Sequence, residues 1–136
     1  MKVSIIMGSD SDWPILKPAY ELLKKFDIEA EVIVASAHRT PARVKEIVTT
    51  APERGVCAFI SAAGAAAHLG GVIASYTTLP VIGVPINATA LNGMDALLST
   101  VQMPSGIPVA TMAINGAKNA AIFVVEMFAI SNPELA

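Results

Sequence analysis

Charged side chains are scarce in this sequence. Only 15% of its 136 residues are charged, whereas 54% are hydrophobic, and the mean hydropathy is +0.60. A domain of this size has a large surface relative to its volume and needs polar residues to cover that surface. We therefore expect part of the apolar surface to be buried between subunits, in a homo-oligomer.

The small net charge and the near absence of cysteine exclude several classes of protein. A formal net charge of −2, with Lys and Arg scattered along the chain, offers no general attraction for nucleic acid. The single cysteine, Cys57, excludes an internal disulfide and a cysteine-rich metal site. The longest strongly apolar run, Ala120–Val125, is too short to span a bilayer, and no signal-peptide pattern opens the chain. We expect a soluble, cytoplasmic protein.

Short β-branched runs alternate with helical patterns along the chain. The predicted strands are Val3–Met7, Glu31–Ala35, Cys57–Ser61, Val81–Val84 and Val109–Ile114. The predicted helices are Asp12–Phe26, Pro41–Arg54, Ala66–Tyr76, Met94–Gln102 and Ala117–Ile130. This alternation is typical of a parallel sheet covered on both faces. The sequence predicts one α/β domain over residues 1–136, a three-layer sandwich whose five-stranded parallel sheet has flavodoxin-like or Rossmann-like winding.

The polar residues gather in the loops that follow the predicted strands. In open parallel sheets, ligands bind beyond the carboxyl ends of the strands. The loops at that edge read MGSDSDWP (7–14), SAHRTP (36–41), SAAGAAAHLGG (61–71), PINATALNGMD (85–95) and NGAKNA (115–120). They contain both histidines, so any chemistry of this protein is expected at this edge.

The first of these loops has the composition of an anion site. Ser9 and Ser11 offer hydroxyl and amide groups just before a helix, where free N–H groups attract a phosphate. Either serine could instead serve only as a helix cap. Asp10 or Asp12 would repel a phosphate but could accept hydrogen bonds from a ribose diol. Phosphate and diol together indicate a ribonucleotide-like ligand.

The second loop places a fixed cation beside a titratable ring. The guanidinium of Arg39 can bind two phosphate oxygens at once, although a surface ion pair with Glu46 is the alternative. The imidazole of His38 can both give and take a proton near neutral pH. We interpret His38 as the catalytic residue, because it stands beside the phosphate clamp.

The third loop consists almost entirely of small residues. Gly64 and its alanine neighbours would let a flat ligand lie against the backbone, or would serve tight packing of a helix on the sheet. His68 is interpreted as an anchor or a binding group rather than as the proton carrier.

Several motifs that would indicate a cofactor or a metal are missing. The two histidines lie far apart in the sequence, and there is no HExxH or cysteine cluster. No GxGxxG or P-loop follows the first strand, and no GxSxG elbow is present. We therefore expect neither a metal nor an organic cofactor.

The motifs MGSDSDW, VASAHRTP, GAAAHLGG and VQMPSGIPVATMAI, followed by AKNAAIF, resemble the PurE family in the family's order, from Val3 to about Ile130. The resemblance implies a flavodoxin-like octamer that acts as a 5-(carboxyamino)imidazole ribonucleotide mutase of purine biosynthesis, without metal or ATP. It also implies roles for eight residues. They are His38 as the catalytic acid and base, and Ser9, Ser11, Asp12, Ser36, Arg39, Gly64 and His68 as substrate-binding residues.

Two alternatives to the mutase stay open at this point. A sister branch of the family carboxylates aminoimidazole ribonucleotide with free carbon dioxide, but HL in the third loop and VQMPSGIPVAT resemble the mutase branch. The third loop departs from the typical GAGGAAHLPG at Ala62, Ala65 and Gly70, which narrows the expected carboxylate pocket and loosens its turn. A receiver domain would share the fold and the acidic first loop. It would need an aspartate at the end of the third strand, where this chain has Ser61 and two alanines.

Overall fold

A computed structural model describes all residues from Met1 to Ala136. The strands are β1 (Lys2–Met7), β2 (Glu29–Val34), β3 (Val56–Gly64), β4 (Val81–Ile86) and β5 (Ala110–Thr111). The helices are α1 (Trp13–Lys25), α2 (Pro41–Thr49), α3 (Leu69–Ser75), α4 (Met94–Val101) and α5 (Ala117–Ala129). Short 3-10 turns cover Asp10–Asp12, Pro52–Arg54 and Pro133–Leu135. No helix is both long and apolar enough to cross a membrane.

The five strands form one sheet in the order β2-β1-β3-β4-β5, and every neighbouring pair is parallel. This is the flavodoxin-like winding of an open sheet. The order of the strands reverses between β1 and β3, because the chain moves outward to β2 on one side and then to β4 and β5 on the other. The crevice at the carboxyl ends of β1 and β3 is the place where such sheets bind ligands.

Alternation along the strands divides the core between the two faces of the sheet. Ile5 of β1 belongs to a cluster of 19 buried residues that includes the apolar stripes of α1 and α5. Its neighbour Ile6 belongs to a second cluster of 12, together with residues of α2 and α3. The α/β prediction with helices on both faces is confirmed. The fully buried strand pattern holds for β4, whereas the edge strand β2 is only partly buried.

The fifth strand is much shorter than the predicted Val109–Ile114. Only Ala110 and Thr111 pair with β4, opposite Ile82 and Gly83. The carbonyls of Gly83 and Pro85 accept hydrogen bonds from the β5 side. Pro85 has no N–H to donate on that same side, so the ladder cannot continue past it.

Three other boundaries differ from the sequence-based prediction by three residues or more. The second helix was predicted to reach Arg54 but ends at Thr49, because Pro52 cannot donate to the helix and disfavours helical geometry before it. The third strand continues to Gly64, where it still pairs with Ile86 of β4. The third helix consequently begins at Leu69 instead of residue 66.

Candidate active site

A cavity of about 410 Å³ opens at the carboxyl ends of β1, β2 and β3. Its lining includes all eight residues predicted from the sequence, namely Ser9, Ser11, Asp12, Ser36, His38, Arg39, Gly64 and His68. The structure therefore brings together turns that are far apart in the chain. The volume of this cavity lies in the range of small-molecule sites. The fourth loop contributes Ala88, and the fifth loop contributes nothing to this cavity.

The turn after β1 is a capped helix start and a wall of the cavity at the same time. The side chain of Ser9 accepts a hydrogen bond from the Ser11 backbone N–H at 3.3 Å, and the two hydroxyl oxygens are 2.8 Å apart. The carboxyl of Asp12 in turn accepts from the Ser9 backbone. The Ser9 side chain is the N-cap of the short turn Asp10–Asp12. Ser9 therefore acts as a helix cap, as the sequence analysis allowed, and the hydroxyls of Ser9 and Ser11 still lie on the cavity surface.

Asp12, and not Asp10, is the carboxyl that faces the cavity. Asp12 is buried, with 6% of its surface exposed, whereas Asp10 is exposed and does not line the cavity. Burial raises the pKa of Asp12, against the opposing effects of the Ser9 backbone N–H and the positive charge of Arg39. A buried acceptor of this kind suits the hydroxyl groups of a ligand.

The burial of Asp12 predicts an unusual gain in stability when its charge is removed. Because its pKa is raised, the ionised carboxyl weakens the fold at neutral pH, and this penalty is absent below the ordinary pKa of 3.8. Asp12→Asn should therefore raise the free energy of unfolding at pH 7. The gain should disappear below that pKa. Urea denaturation at the two pH values measures it.

The exposed neighbour supplies the control for this prediction. Asp10→Asn removes the same charge from the same turn, and we expect it to leave stability almost unchanged. If Asp12→Asn is less stable than the wild type at neutral pH, the carboxyl stabilises the fold and the interpretation is wrong.

Arg39 is held by the first loop and not by an acidic partner. Its Nη2 donates to the carbonyl of Gly8 at 2.8 Å, and its backbone N–H donates to the Ser36 hydroxyl at 3.1 Å. A longer contact of 3.5 Å joins its Nε to that same hydroxyl. No ion pair with Glu46 forms. The remaining N–H groups of the guanidinium are unused by the protein, as a phosphate clamp requires.

The two histidines of the chain are hydrogen-bonded to each other. His38 Nε2 lies 2.8 Å from His68 Nδ1, and the rings meet edge to face with centroids 4.9 Å apart. One ring must donate and the other must accept, so the pair cannot carry protons on both of these nitrogens. Both side chains are exposed at the cavity mouth, where a ligand can reach them.

The glycines of the third loop serve close packing as well as the cavity wall. A Cβ on Gly64 would lie 2.6 Å from the Cβ of Ala88, and one on Gly70 would lie 2.8 Å from the Ser61 hydroxyl. Gly64 also lines the cavity, so this loop both packs closely on its neighbours and forms part of the cavity wall. Ala65 stands between them in a left-handed conformation, with φ of 53°.

Ala65 is a strained residue, and its replacement by glycine should stabilise the protein. The left-handed region disfavours a Cβ by about 1–2 kcal/mol, which exceeds the 0.4–1 kcal/mol entropic disadvantage of glycine. Ala65→Gly should therefore raise the free energy of unfolding by about 0.5–1 kcal/mol. Ala66→Gly, at the next position and without a positive φ, should lower it by a similar amount. Equal destabilisation by both changes would show that Ala65 is not strained.

A larger cavity of about 830 Å³ lies at the amino ends of β4 and β5, near Val81 and Ala110. Its lining contains no histidine and no charged side chain. It therefore lacks a cationic side chain to pair with a phosphate and an imidazole to move a proton. The smaller cavity carries those groups, and we assign the chemistry to it. No cluster of three or more His, Cys, Asp or Glu side chains is placed to hold a metal ion.

Sequence reasoning missed the direct pairing of the histidines and the part played by α4. Ser99 of α4 accepts a hydrogen bond from the backbone N–H of Ala67, in the loop that carries His68. Nothing in the residue pattern reveals these contacts, because they join residues about 30 positions apart. For the fourth loop, the sequence indicates only that it follows a strand.

Comparison with known proteins places the chain in a family. Residues 2–136 match the model of the AIR carboxylase family. The N5-carboxyaminoimidazole ribonucleotide mutase of Pyrococcus abyssi is 58% identical over 98% of this chain and 77% of its own length. That of Thermotoga maritima is 55% identical over 99% of this chain and 79% of its own length. The crystal structure of Treponema denticola PurE superposes with a TM-score of 0.87 at 29% identity, over 98% of this chain and 84% of that one. On this match of sequence and fold, the chain belongs to the AIR carboxylase family.

Proposed function

We propose that this protein is an N5-carboxyaminoimidazole ribonucleotide mutase, an isomerase of purine biosynthesis. The proposal rests on one observation above the others: His38, Arg39 and the Ser9–Asp12 turn line a single cavity of nucleotide-binding character. The relatives at 58% and 55% identity that bear this name support the same activity. No metal or cofactor is needed for the steps below.

The substrate is held by groups that match its parts. Its phosphate binds the Ser9 and Ser11 groups at the helix start and the free N–H groups of Arg39. Its ribose hydroxyls donate to the carboxyl of Asp12. The aminoimidazole then lies between the Ala/Gly wall of the third loop and the imidazole of His38.

The reaction moves a carboxylate from the exocyclic nitrogen to a ring carbon. His38 protonates the carbamate nitrogen, the C–N bond breaks, and carbon dioxide is released. The ring carbon attacks the trapped carbon dioxide to form the new C–C bond, and His38 removes the proton from that carbon. The histidine gives one proton and regains one, so the reaction is a net isomerisation. A small wall that excludes water favours recapture of the carbon dioxide over its escape.

The two activities differ in their need for bicarbonate, which direct carboxylation requires and the mutase reaction does not. We expect turnover of the carboxyamino nucleotide in bicarbonate-free buffer at the rate seen with bicarbonate. Aminoimidazole ribonucleotide with bicarbonate should be a poor substrate. Both rates can be followed by the absorbance of the carboxylated ring. Strict dependence on bicarbonate would instead assign the chain to direct carboxylation.

We propose in addition that the protein works as a homo-octamer in the cytoplasm. Four apolar side chains of α4 and the residues before it are exposed at a heptad-like spacing, namely Leu91, Met94, Leu98 and Val101. Such a stripe is unusual on a monomer. Sedimentation equilibrium should give a mass about eight times the 14.1 kDa of one chain. A monomeric mass at micromolar concentration would contradict the assembly and leave the proposed reaction untouched.

A further inference from the structure

A hydroxyl outside the cavity contacts the loop that carries His68. Ser99 of α4 does not line the cavity of the candidate active site. Its Oγ accepts a hydrogen bond from the Ala67 backbone N–H at 2.9 Å and lies 2.6 Å from the carbonyl of Asp95. The hydroxyl has one proton, which the short contact to Asp95 uses, so its lone pair is free to hold Ala67. Ser99 thus joins α4 to the third loop.

The Ala65–Ala66 segment of this loop has little side-chain packing to fix its shape. Ala65 occupies the left-handed region without being a glycine, and both Ala65 and Ala66 are exposed. Their methyl groups contribute almost no packing. The buried Ala67, bonded to Ser99, precedes His68, and the buried Leu69 of α3 follows it. The bond to Ser99 therefore fixes the side of His68 that faces the loop, whereas α3 fixes the other side.

The position of His68 decides which nitrogen of His38 can exchange a proton with a ligand. When His38 is the acid it carries protons on both nitrogens, so its Nε2–H must donate to His68 Nδ1 at 2.8 Å. The proton that it can give to substrate is then the one on Nδ1. After that proton leaves, the Nε2–H bond persists, and the empty Nδ1 is ready to take the ring proton. Acid and base steps use one atom without a change of tautomer.

We propose that Ser99 is a positioning residue that acts through His68 to fix the proton of His38 on Nε2. The effect on turnover rests on the proposed function, whereas the effect on the shared proton does not. Loss of the Ser99 hydroxyl releases the third loop and lengthens the hydrogen bond between the rings. Because Ser9, Ser11 and Arg39 are untouched, the contacts to the phosphate stay intact.

The test compares Ser99→Ala with Ser99→Thr, which keeps the hydroxyl, and with Thr100→Val as a matched control. Thr100 is on the same helix, and its hydroxyl donates only to the Ala96 carbonyl, at 2.7 Å. With only two histidines in the chain, the imidazole proton bound to His38 Nε2 can be assigned by NMR of the 15N-histidine-labelled free protein.

We expect this proton signal in the wild type, in Ser99→Thr and in Thr100→Val, and its loss through exchange with water in Ser99→Ala. In Ser99→Ala, kcat should fall by about tenfold to a hundredfold, as a misplaced catalytic group predicts, and KM should change much less than kcat because the phosphate contacts are retained. A retained signal and wild-type kcat would overturn the proposal. So would equal losses in Ser99→Ala and Thr100→Val, which would indicate a merely structural role for both hydroxyls.

Two further outcomes are covered by the same design. If Ser99→Ala does not fold, Ser99→Cys offers a weaker acceptor and should weaken the proton signal, and an unchanged signal would overturn the proposal. If the wild type shows no mutase turnover, the proposed function fails, and the NMR comparison still decides whether Ser99 holds the histidine pair.

Discussion

Replacement of His38 by asparagine is expected to abolish turnover while the substrate still binds. General acid–base catalysis by one side chain contributes about 10²–10⁴-fold, and here the same group serves both proton transfers. We therefore expect kcat to fall by about a thousandfold or more. Asparagine is polar, is smaller than histidine and cannot carry the proton. The phosphate and ribose contacts at Ser9, Asp12 and Arg39 lie on other side chains and should be retained.

The measurement for His38→Asn combines stopped assays with calorimetric titration of the nucleotide. Binding within about threefold of the wild type, together with lost turnover, would support a proton-transfer role, since that change is less than about 0.7 kcal/mol. Urea denaturation of the variant checks that the fold is intact. Turnover near the wild-type rate would remove His38 from the mechanism and would leave His68 as the one histidine in the cavity.

Replacement of Arg39 by alanine is expected to weaken binding more than chemistry. A charge-assisted hydrogen bond contributes about 1.5–3 kcal/mol, so KM should rise by about tenfold to a hundredfold. The value of kcat should change much less, because the phosphate is remote from the reacting atoms. Loss of the bond from Nη2 to the Gly8 carbonyl is also expected to loosen the first loop slightly.

Arg43 offers a matched control for this prediction. It is an exposed arginine on α2 that does not line the cavity, so Arg43→Ala removes the same charge from the same region. Steady-state kinetics should give a KM close to that of the wild type for Arg43→Ala. Equal KM values for the two variants would mean that Arg39 contributes only to the general field of the protein.

The architecture could be predicted from the sequence because its signals are local. β-branched runs, helix-opening prolines such as Pro41 and polar loops at strand ends each follow from a few neighbouring residues. The length of β5 could not be predicted, because it depends on which side of β4 the missing N–H of Pro85 faces. That side is set by the register of the whole sheet.

The residues that form the site could be predicted for the same reason, whereas the contacts between them could not. The rule that ligands bind at strand ends places Ser9, His38 and His68 at one edge. It does not state that the two imidazoles share a hydrogen bond, or that Ser99 reaches Ala67 from another helix. These contacts depend on loop conformation, above all on the left-handed backbone of Ala65. An alanine in the sequence gives no indication of that conformation.

We expect one nucleotide to lie across the three loops, with its base against His38. A crystal structure with bound aminoimidazole ribonucleotide is the decisive test of this arrangement. We predict the phosphate on the Ser9–Ser11 turn and Arg39, and the reacting ring carbon within about 3.5 Å of a nitrogen of His38. A nucleotide bound instead in the larger cavity at the amino ends of β4 and β5, or with its ring turned away from His38, would contradict it.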